Sequence, residues 1–194
     1  MARTIGFDEE QVLDRTVDLF WSKGFHDTSA QDMVDHLGLN RSSIYNTFGG
    51  KRELFVKALK RYRDRESASL IAFLGTASPT VAGIEVLLTN VVQASTANKT
   101  RMGCLMVNTA VEQGASERDI QRIIQDNANE VVTALEQFIR RGQQAGTLNR
   151  TLDAHGMAIV LFHAITALRV ITKVMRDVDF FNQYISTQLH LFKP

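Results

Sequence analysis

The sequence predicts an all-α chain: a small three-helix head joined by one long helix to a larger helical bundle. Three observations lead there. The 194 residues include only two prolines, Pro79 and Pro194, so helices can run long without a breaker. Apolar residues recur at three- and four-residue spacing through most of the chain, without the sustained alternation a strand requires. Capping residues and glycines punctuate that pattern at intervals that suit helices.

The elements follow in order. Asp8 is an N-cap with acids behind it and Gln11 at the reciprocal position, and Gly24 ends the first helix. Thr28-Ser-Ala-Gln31 is a second capping signature; Met33, Val34 and Leu37 are the apolar positions of the short helix it opens, and Gly38 interrupts it. Asn40 caps a third short helix, with Ile44 and Phe48 one turn apart on its inner face and Gly49-Gly50 at its end. A long amphipathic helix then covers about residues 51–74. Ser78-Pro79 is expected to start the next, Ser as cap and Pro in the first turn. Met102 to Gln113 is short and very apolar, Ser116 caps a long helix to about Ala145, and the last two helices run from Leu152 to Met175 and from Asp177 to Leu191. The expected division is a head over residues 1–50 and a linking helix plus bundle over 51–194.

Bulk composition narrows the class. Apolar residues make up 44% and charged residues 22%, which is ordinary for a soluble globular protein. One cysteine, Cys104, excludes an intramolecular disulfide and a cysteine-rich zinc site, and it fits a reducing, cytoplasmic setting. No apolar signal segment opens the chain, and the apolar stretch from Gly156 to Leu168 falls short of the ~18–20 residues of a membrane span. The five histidines are scattered, no Glu-x-x-His pair marks a di-iron bundle, and no glycine-rich phosphate loop follows a strand. The expectation is a non-enzyme with no cofactor, no metal and no membrane partner.

The net charge of +1 says nothing about partners, but its distribution does. Residues 1–40 carry three basic and eight acidic side chains, whereas residues 41–65 carry eight basic and two acidic ones. A basic cluster that begins inside a short helix is a candidate phosphate-binding face; it equally describes the solvated side of a helix with internal ion pairs. Residues 28–48 read as helix, glycine turn, helix, with apolar residues on the inner faces, which is the helix-turn-helix pattern. In that pattern the second helix enters the major groove of DNA. Its outward residues here are Arg41, Ser42, Ser43, Tyr45, Asn46 and Thr47. Arg can fork onto guanine, Asn onto adenine, and the hydroxyls can serve base or phosphate. Lys51 and Thr28, each at a helix start, are placed for phosphate.

Phe25, Thr28, Leu37-Gly-Leu39, Ile44-Tyr-Asn-Thr-Phe48 and Lys51-Arg-Glu-Leu-Phe55 together resemble the TetR family of bacterial regulators, over about residues 8–60. The resemblance implies a helical homodimer, usually a repressor, that binds a palindromic operator in double-stranded DNA. It also implies a small-molecule effector in the C-terminal bundle that separates the two heads through the linking helix. Thr28, Arg41, Ser42, Ser43, Tyr45, Asn46, Thr47 and Lys51 are the matching DNA-contact positions. Many members carry a longer basic N-terminal arm; here only Arg3 is basic before Asp8. An activator remains an alternative, since operator position decides it. So does a ligand-binding protein without DNA affinity, against which Tyr45 and Lys51 argue.

In the bundle, Phe73, Met106, Asn108, Phe138, Phe162 and His163 are the candidate cavity residues, although an aromatic or Met at helical spacing is more often core. Gly103-Cys-Leu followed by Glu112 resembles the NemR-like, electrophile-responsive branch of the family, which makes Cys104 a possible sensor. A sensor thiol needs thiolate character and access; Arg101, about one turn away, is the nearby cation, and a buried apolar thiol is the default. The last two helices carry more apolar residues than one inward stripe needs, which assigns them to the homodimer interface.

Overall fold

The computed structural model describes residues 7–97 and 102–194, so Arg3 and Arg101 lie outside the described residues. Over these the chain forms α1 (Glu9–Lys23), α2 (Ala30–Leu37), α3 (Arg41–Phe48), α4 (Lys51–Thr76), α5 (Val81–Ala97), α6 (Leu105–Gln113), α7 (Arg118–Ala145), α8 (Ala154–Ile171) and α9 (Val178–Leu189), closed by a 3-10 turn (His190–Phe192). The all-α class is as expected.

Most boundaries follow the capping chemistry. The Asp8 carboxylate accepts from the Glu10 and Gln11 amides, and Asn40 accepts from the Ser43 amide at 2.8 Å. Such caps satisfy amides that have no partner inside the helix. Gly38 sits at φ 68°, ψ 24° between α2 and α3. That left-handed geometry penalises residues with a Cβ, so glycine makes the tight turn possible.

Three of the expected caps, Thr28, Ser78 and Ser116, give way to a neighbouring residue. Ser29, not Thr28, caps α2: its hydroxyl accepts from the Asp32 amide while the Asp32 carboxylate accepts from the Ser29 amide at 2.8 Å. Helix α5 begins after Thr80, whose hydroxyl accepts from the Gly83 amide, so Ser78-Pro79 forms the turn before it. Helix α7 begins after Glu117, because the Ser116 hydroxyl donates instead to the Gln113 carbonyl that ends α6.

Two apolar cores sit at opposite ends of α4. The head core joins Val17, Phe20, Met33, Leu37, Ile44 and Phe48 to Leu54, Phe55, Ala58, Leu59 and Tyr62 of α4. Leu105 and Met106 of α6 and Ile120 and Ile123 of α7 close it from the bundle side. Phe20 meets Phe55 edge-on at 4.9 Å and Trp21 meets Tyr62 edge-on at 5.0 Å, a geometry aromatic quadrupoles favour. Burying each such ring contributes about 1.5–3 kcal/mol. The bundle core joins Leu74 at the far end of α4 to α5, α7, α8 and α9. Helix α4 is therefore a strut shared by both cores.

Helix α8 is long and apolar enough to cross a membrane by length and composition, which the sequence reading did not anticipate. Its Met157, Ala158, Leu161, Ala164, Ile165 and Leu168 are buried in the bundle core, with α7 running along it. One face of α8 packs in the bundle core, while Ile159, Val160 and Val170 stay exposed on the other.

Candidate DNA-binding face and effector cavity

Ile44 and Phe48 are 0% and 3% exposed, and they turn α3 so that its other side faces outward. Arg41, Ser42, Tyr45 and Asn46 are exposed on that side; Ser43 and Thr47 are half-buried at its edges. The Arg41 guanidinium lies 5.4 Å from the Tyr45 ring centroid, so the two side chains form one polar-aromatic ridge. Lys51, at the first turn of α4, lies 4.6 Å from the Phe25 ring centroid, with its ammonium 3.4 Å from the His26 carbonyl.

Thr28 is the exception among the expected contacts. It is 1% exposed, and its hydroxyl donates to the Gly24 carbonyl at 2.6 Å. Because Ser29 takes the cap, Thr28 turns inward and braces the turn between α1 and α2 instead of facing a phosphate.

The basic cluster divides. Arg61 forks onto Asp14 at 2.7 and 2.8 Å, Arg52 pairs with Glu117 and Asp119, and Arg63 pairs with Asp64. Arg65 and Lys57 lie against the Tyr62 and Phe48 rings. Much of the cluster thus neutralises its own fold, while Arg41 and Lys51 flank the outward face of α3.

A cavity of about 220 Å³ opens in the bundle between α4, α5, α6, α7 and α8. Leu70, Val91, Val107, Ala110, Ile124, Ala128, Val131 and Ile165 make its walls apolar. Of the expected residues, Met106 and Phe162 line it. The other four do not. Phe138 is 1% exposed in the bundle core, and Phe73 packs against the same core. His163 faces solvent, its Nδ1 2.7 Å from the Ile159 carbonyl. Asn108 is occupied by the Met102 carbonyl and the Lys173 ammonium. Phe73 and Phe138 were placed by apolar periodicity, which cannot separate a cavity wall from solid core; Asn108 and His163 were placed by their apolar neighbourhoods.

The polar end of the cavity was missed from sequence. Tyr62, Glu66 and Ser67 of α4, Asn127 of α7 and Arg169 of α8 meet there, and no local spacing relates the three helices. Cys104 is 4% exposed at this end. The Tyr62 hydroxyl donates to its Sγ at 3.7 Å, and an Arg169 N–H approaches it at 3.5 Å, so Arg169 is the cation beside the thiol. Arg169 also lies 3.6 Å from the Glu66 carboxylate. Burial, followed by the adjacent Cys104, pushes the Tyr62 phenol well above its ordinary range, so it remains a donor. The arrangement can hold a compact apolar molecule with an oxygen acceptor directed at Tyr62 and Arg169.

A helical head with an exposed recognition helix, joined by a long helix to a bundle with a cavity, defines a helix-turn-helix regulator class. Comparison with known proteins makes the assignment specific. Residues 12–58 match the family model for bacterial regulatory proteins of the tetR family, and residues 81–187 match that for the tetracycline repressor-like C-terminal domain. The chain belongs to the TetR family and is a DNA-binding transcriptional regulator. It is 28% identical over 190 residues to the uncharacterized HTH-type transcriptional regulator YezE of Bacillus subtilis (strain 168), covering 97% of this chain and 98% of YezE. It is 26% identical over 187 residues to the HTH-type transcriptional repressor ComR of Escherichia coli (strain K12), covering 96% and 89%. Its fold matches that of a cysteine mutant of the TetR family regulator CifR complexed with 26-base-pair operator DNA. The TM-score is 0.84 at 23% identity, over 98% of this chain and all of that one.

Proposed function

We propose that the chain is a homodimeric cytoplasmic repressor that leaves a palindromic operator when a small molecule enters the bundle cavity. In this reading residues 1–50 bind DNA, and residues 51–194 carry the linking helix, the effector site and the dimer interface. Arg41, Ser42, Ser43, Tyr45, Asn46 and Thr47 face the major groove, and Lys51 takes a phosphate. The observation that carries the reading is the outward face of α3: Arg41, Ser42, Tyr45 and Asn46 are exposed while Ile44 and Phe48 anchor the same helix. The repressor named ComR and the operator-bound CifR support it by likeness. Selection of bound duplexes from a random library, at fixed salt because phosphate contacts are salt-dependent, tests it. An inverted repeat is expected; recovery of no consensus would overturn it.

A second reading concerns the trigger. The place of the Cys104 sulfur at the cavity wall, in contact with Tyr62 and Arg169, favours covalent sensing. In this version an electrophilic alkene enters the cavity and adds to the sulfur, the thiol proton passing to the adjacent carbon. Treatment with N-ethylmaleimide then weakens operator binding in the native chain and leaves a Cys104→Ser variant unaffected. Equal loss in both would rule the thiol out.

A further inference from the structure

Helix α6 is bound to the head at both of its ends. Before its first turn, the Trp21 indole N–H donates to the Gly103 carbonyl at 3.1 Å. At its last turn, the half-buried Glu112 carboxylate accepts from two successive amides of the α1–α2 turn, Phe25 at 3.0 Å and His26 at 2.6 Å. These are charge-assisted bonds from backbone to carboxylate, stronger than neutral ones. The same two residues hold Lys51 from the other side: its ammonium lies over the Phe25 ring and beside the His26 carbonyl. A two-residue turn thus separates a carboxylate on the cavity helix from the lysine assigned to phosphate.

The other face of α6 forms cavity wall through Met106, Val107 and Ala110. Whatever fills the cavity presses on the helix that carries Glu112. The α6 face toward the head is also incompletely satisfied. Thr109 and Gln113 are 1% and 4% exposed, and the Thr109 hydroxyl and Gln113 amide nitrogen find no partner among the described residues. Unpartnered buried polar groups weaken an interface, because their desolvation is not repaid by a bond. A switching element needs that property.

We propose that Glu112 is the positioning residue that couples the cavity to the DNA-binding face: its carboxylate fixes the Phe25–His26 turn, and through it Lys51, to the position of α6. The proposal rests on the regulator reading above and adds to it the route of regulation. An effector that shifts α6 pulls or releases the turn and so misplaces Lys51 relative to a phosphate.

The test replaces the unidentified effector with an internal one. Ala128→Phe places a ring in the cavity from α7, across from α6. Operator affinity is measured by fluorescence anisotropy for the native chain, Ala128→Phe, Glu112→Gln and the double variant, and amide exchange at Phe25 and His26 is followed by NMR in the same four. The expected result is a loss of tenfold or more from Ala128→Phe in the native background and of less than threefold in the Glu112→Gln background, the coupling that such a cycle isolates. Ala128→Phe also accelerates exchange at Phe25 and His26 only while Glu112 is present. An equal loss in both backgrounds, or unchanged affinity and exchange with the cavity filled, overturns the coupling. Should Ala128→Phe not fold, Ala110→Leu fills the cavity from α6 with the same expected results. A native chain that selects no operator refutes the regulator reading, a result separate from the exchange measurement, which needs no DNA and judges the Glu112 link by itself.

Discussion

The Lys51 ammonium stands 4.6 Å from the centroid of the Phe25 ring, which holds a cation at the start of α4 next to the outward face of α3. A ring face contributes about 0.5–1 kcal/mol toward holding an exposed ammonium. The lysine is thus partly pre-oriented before DNA arrives. Lys51→Met removes the charge and keeps the stem. Affinity should fall by a similar factor for every sequence tested, and the slope of log affinity against log salt should shallow by about one, the signature of one lost phosphate contact. An unchanged slope in a salt titration would remove Lys51 from the interface.

Asn46 should behave differently. It is exposed on α3 and has no role in the head core. An asparagine facing adenine contributes about 1–3 kcal/mol of discrimination through two hydrogen bonds. Asn46→Ala should relax preference at one base pair in each half-site while leaving the salt slope near its native value. Repeating the library selection with the variant checks this, and a shift in overall affinity with no change of consensus would place Asn46 on the backbone instead.

How much of this was legible in the sequence depends on the range of the physics involved. Helix starts at Asp8 and Asn40 follow from bonds spanning two or three residues, so local residues specify them. The Thr28 expectation failed at the same range, because Ser29 with Asp32 makes a better capping box than Thr28 with Gln31, and the loser turned inward. The cavity was harder. Phe138 and Phe162 each occupy an apolar position at helical spacing, yet one is core and the other wall; only the packing of five helices separates them. Glu112 carried no sequence signal for its bonds, since its partners lie 86 and 87 residues away.

Gly142 shows a close approach that composition cannot reveal. It lies in α7, where a Cβ would come within 2.6 Å of the Pro79 carbonyl oxygen and would collide with the Leu148 side chain. The Pro79 backbone cannot yield as a flexible side chain would. Gly142→Ala should therefore destabilise the bundle by about 1–3 kcal/mol, against the usual helical preference for alanine. A thermal melt should show a drop of about 2–4 °C per kcal/mol lost. A gain in melting temperature would mean that α7 and the Ser78–Pro79 turn separate easily.

The Arg61–Asp14 pair predicts one component of the acid limit. Hydrogen bonding to Arg61, opposed in part by burial, holds the Asp14 carboxyl below its ordinary value of 3.8. A carboxylate lowered in the folded state adds stability that is complete above the unfolded value and disappears as pH falls through the folded one. The pair ties α1 to α4, so its loss loosens the head. Asp14→Asn should lower the melting temperature at neutral pH, and the gap from the native chain should close as pH drops below 3.8. A gap that stayed constant into acid would show that the charge does not contribute.

The last prediction concerns the second copy of the chain. Four exposed large apolar residues fall within eleven positions of the chain: Val170 at 47%, Val174 at 76%, Val178 at 66% and Phe180 at 43% exposed. They run from the end of α8 across the turn to the start of α9, and Ile159 and Val160 extend the set along α8. Exposed apolar side chains grouped in this way suit a contact with another molecule, and a two-fold contact there would present two heads to two half-sites. Phe180 is the aromatic anchor of the group, the residue type on which interface energy concentrates. Phe180→Asp should keep the helical signal, because the side chain is outside both cores, yet convert a dimer to a monomer in light scattering. Operator affinity should fall with it, since a monomer grips only one half-site. A variant that stays dimeric and binds as the native chain does would move the interface away from this end of α8 and α9.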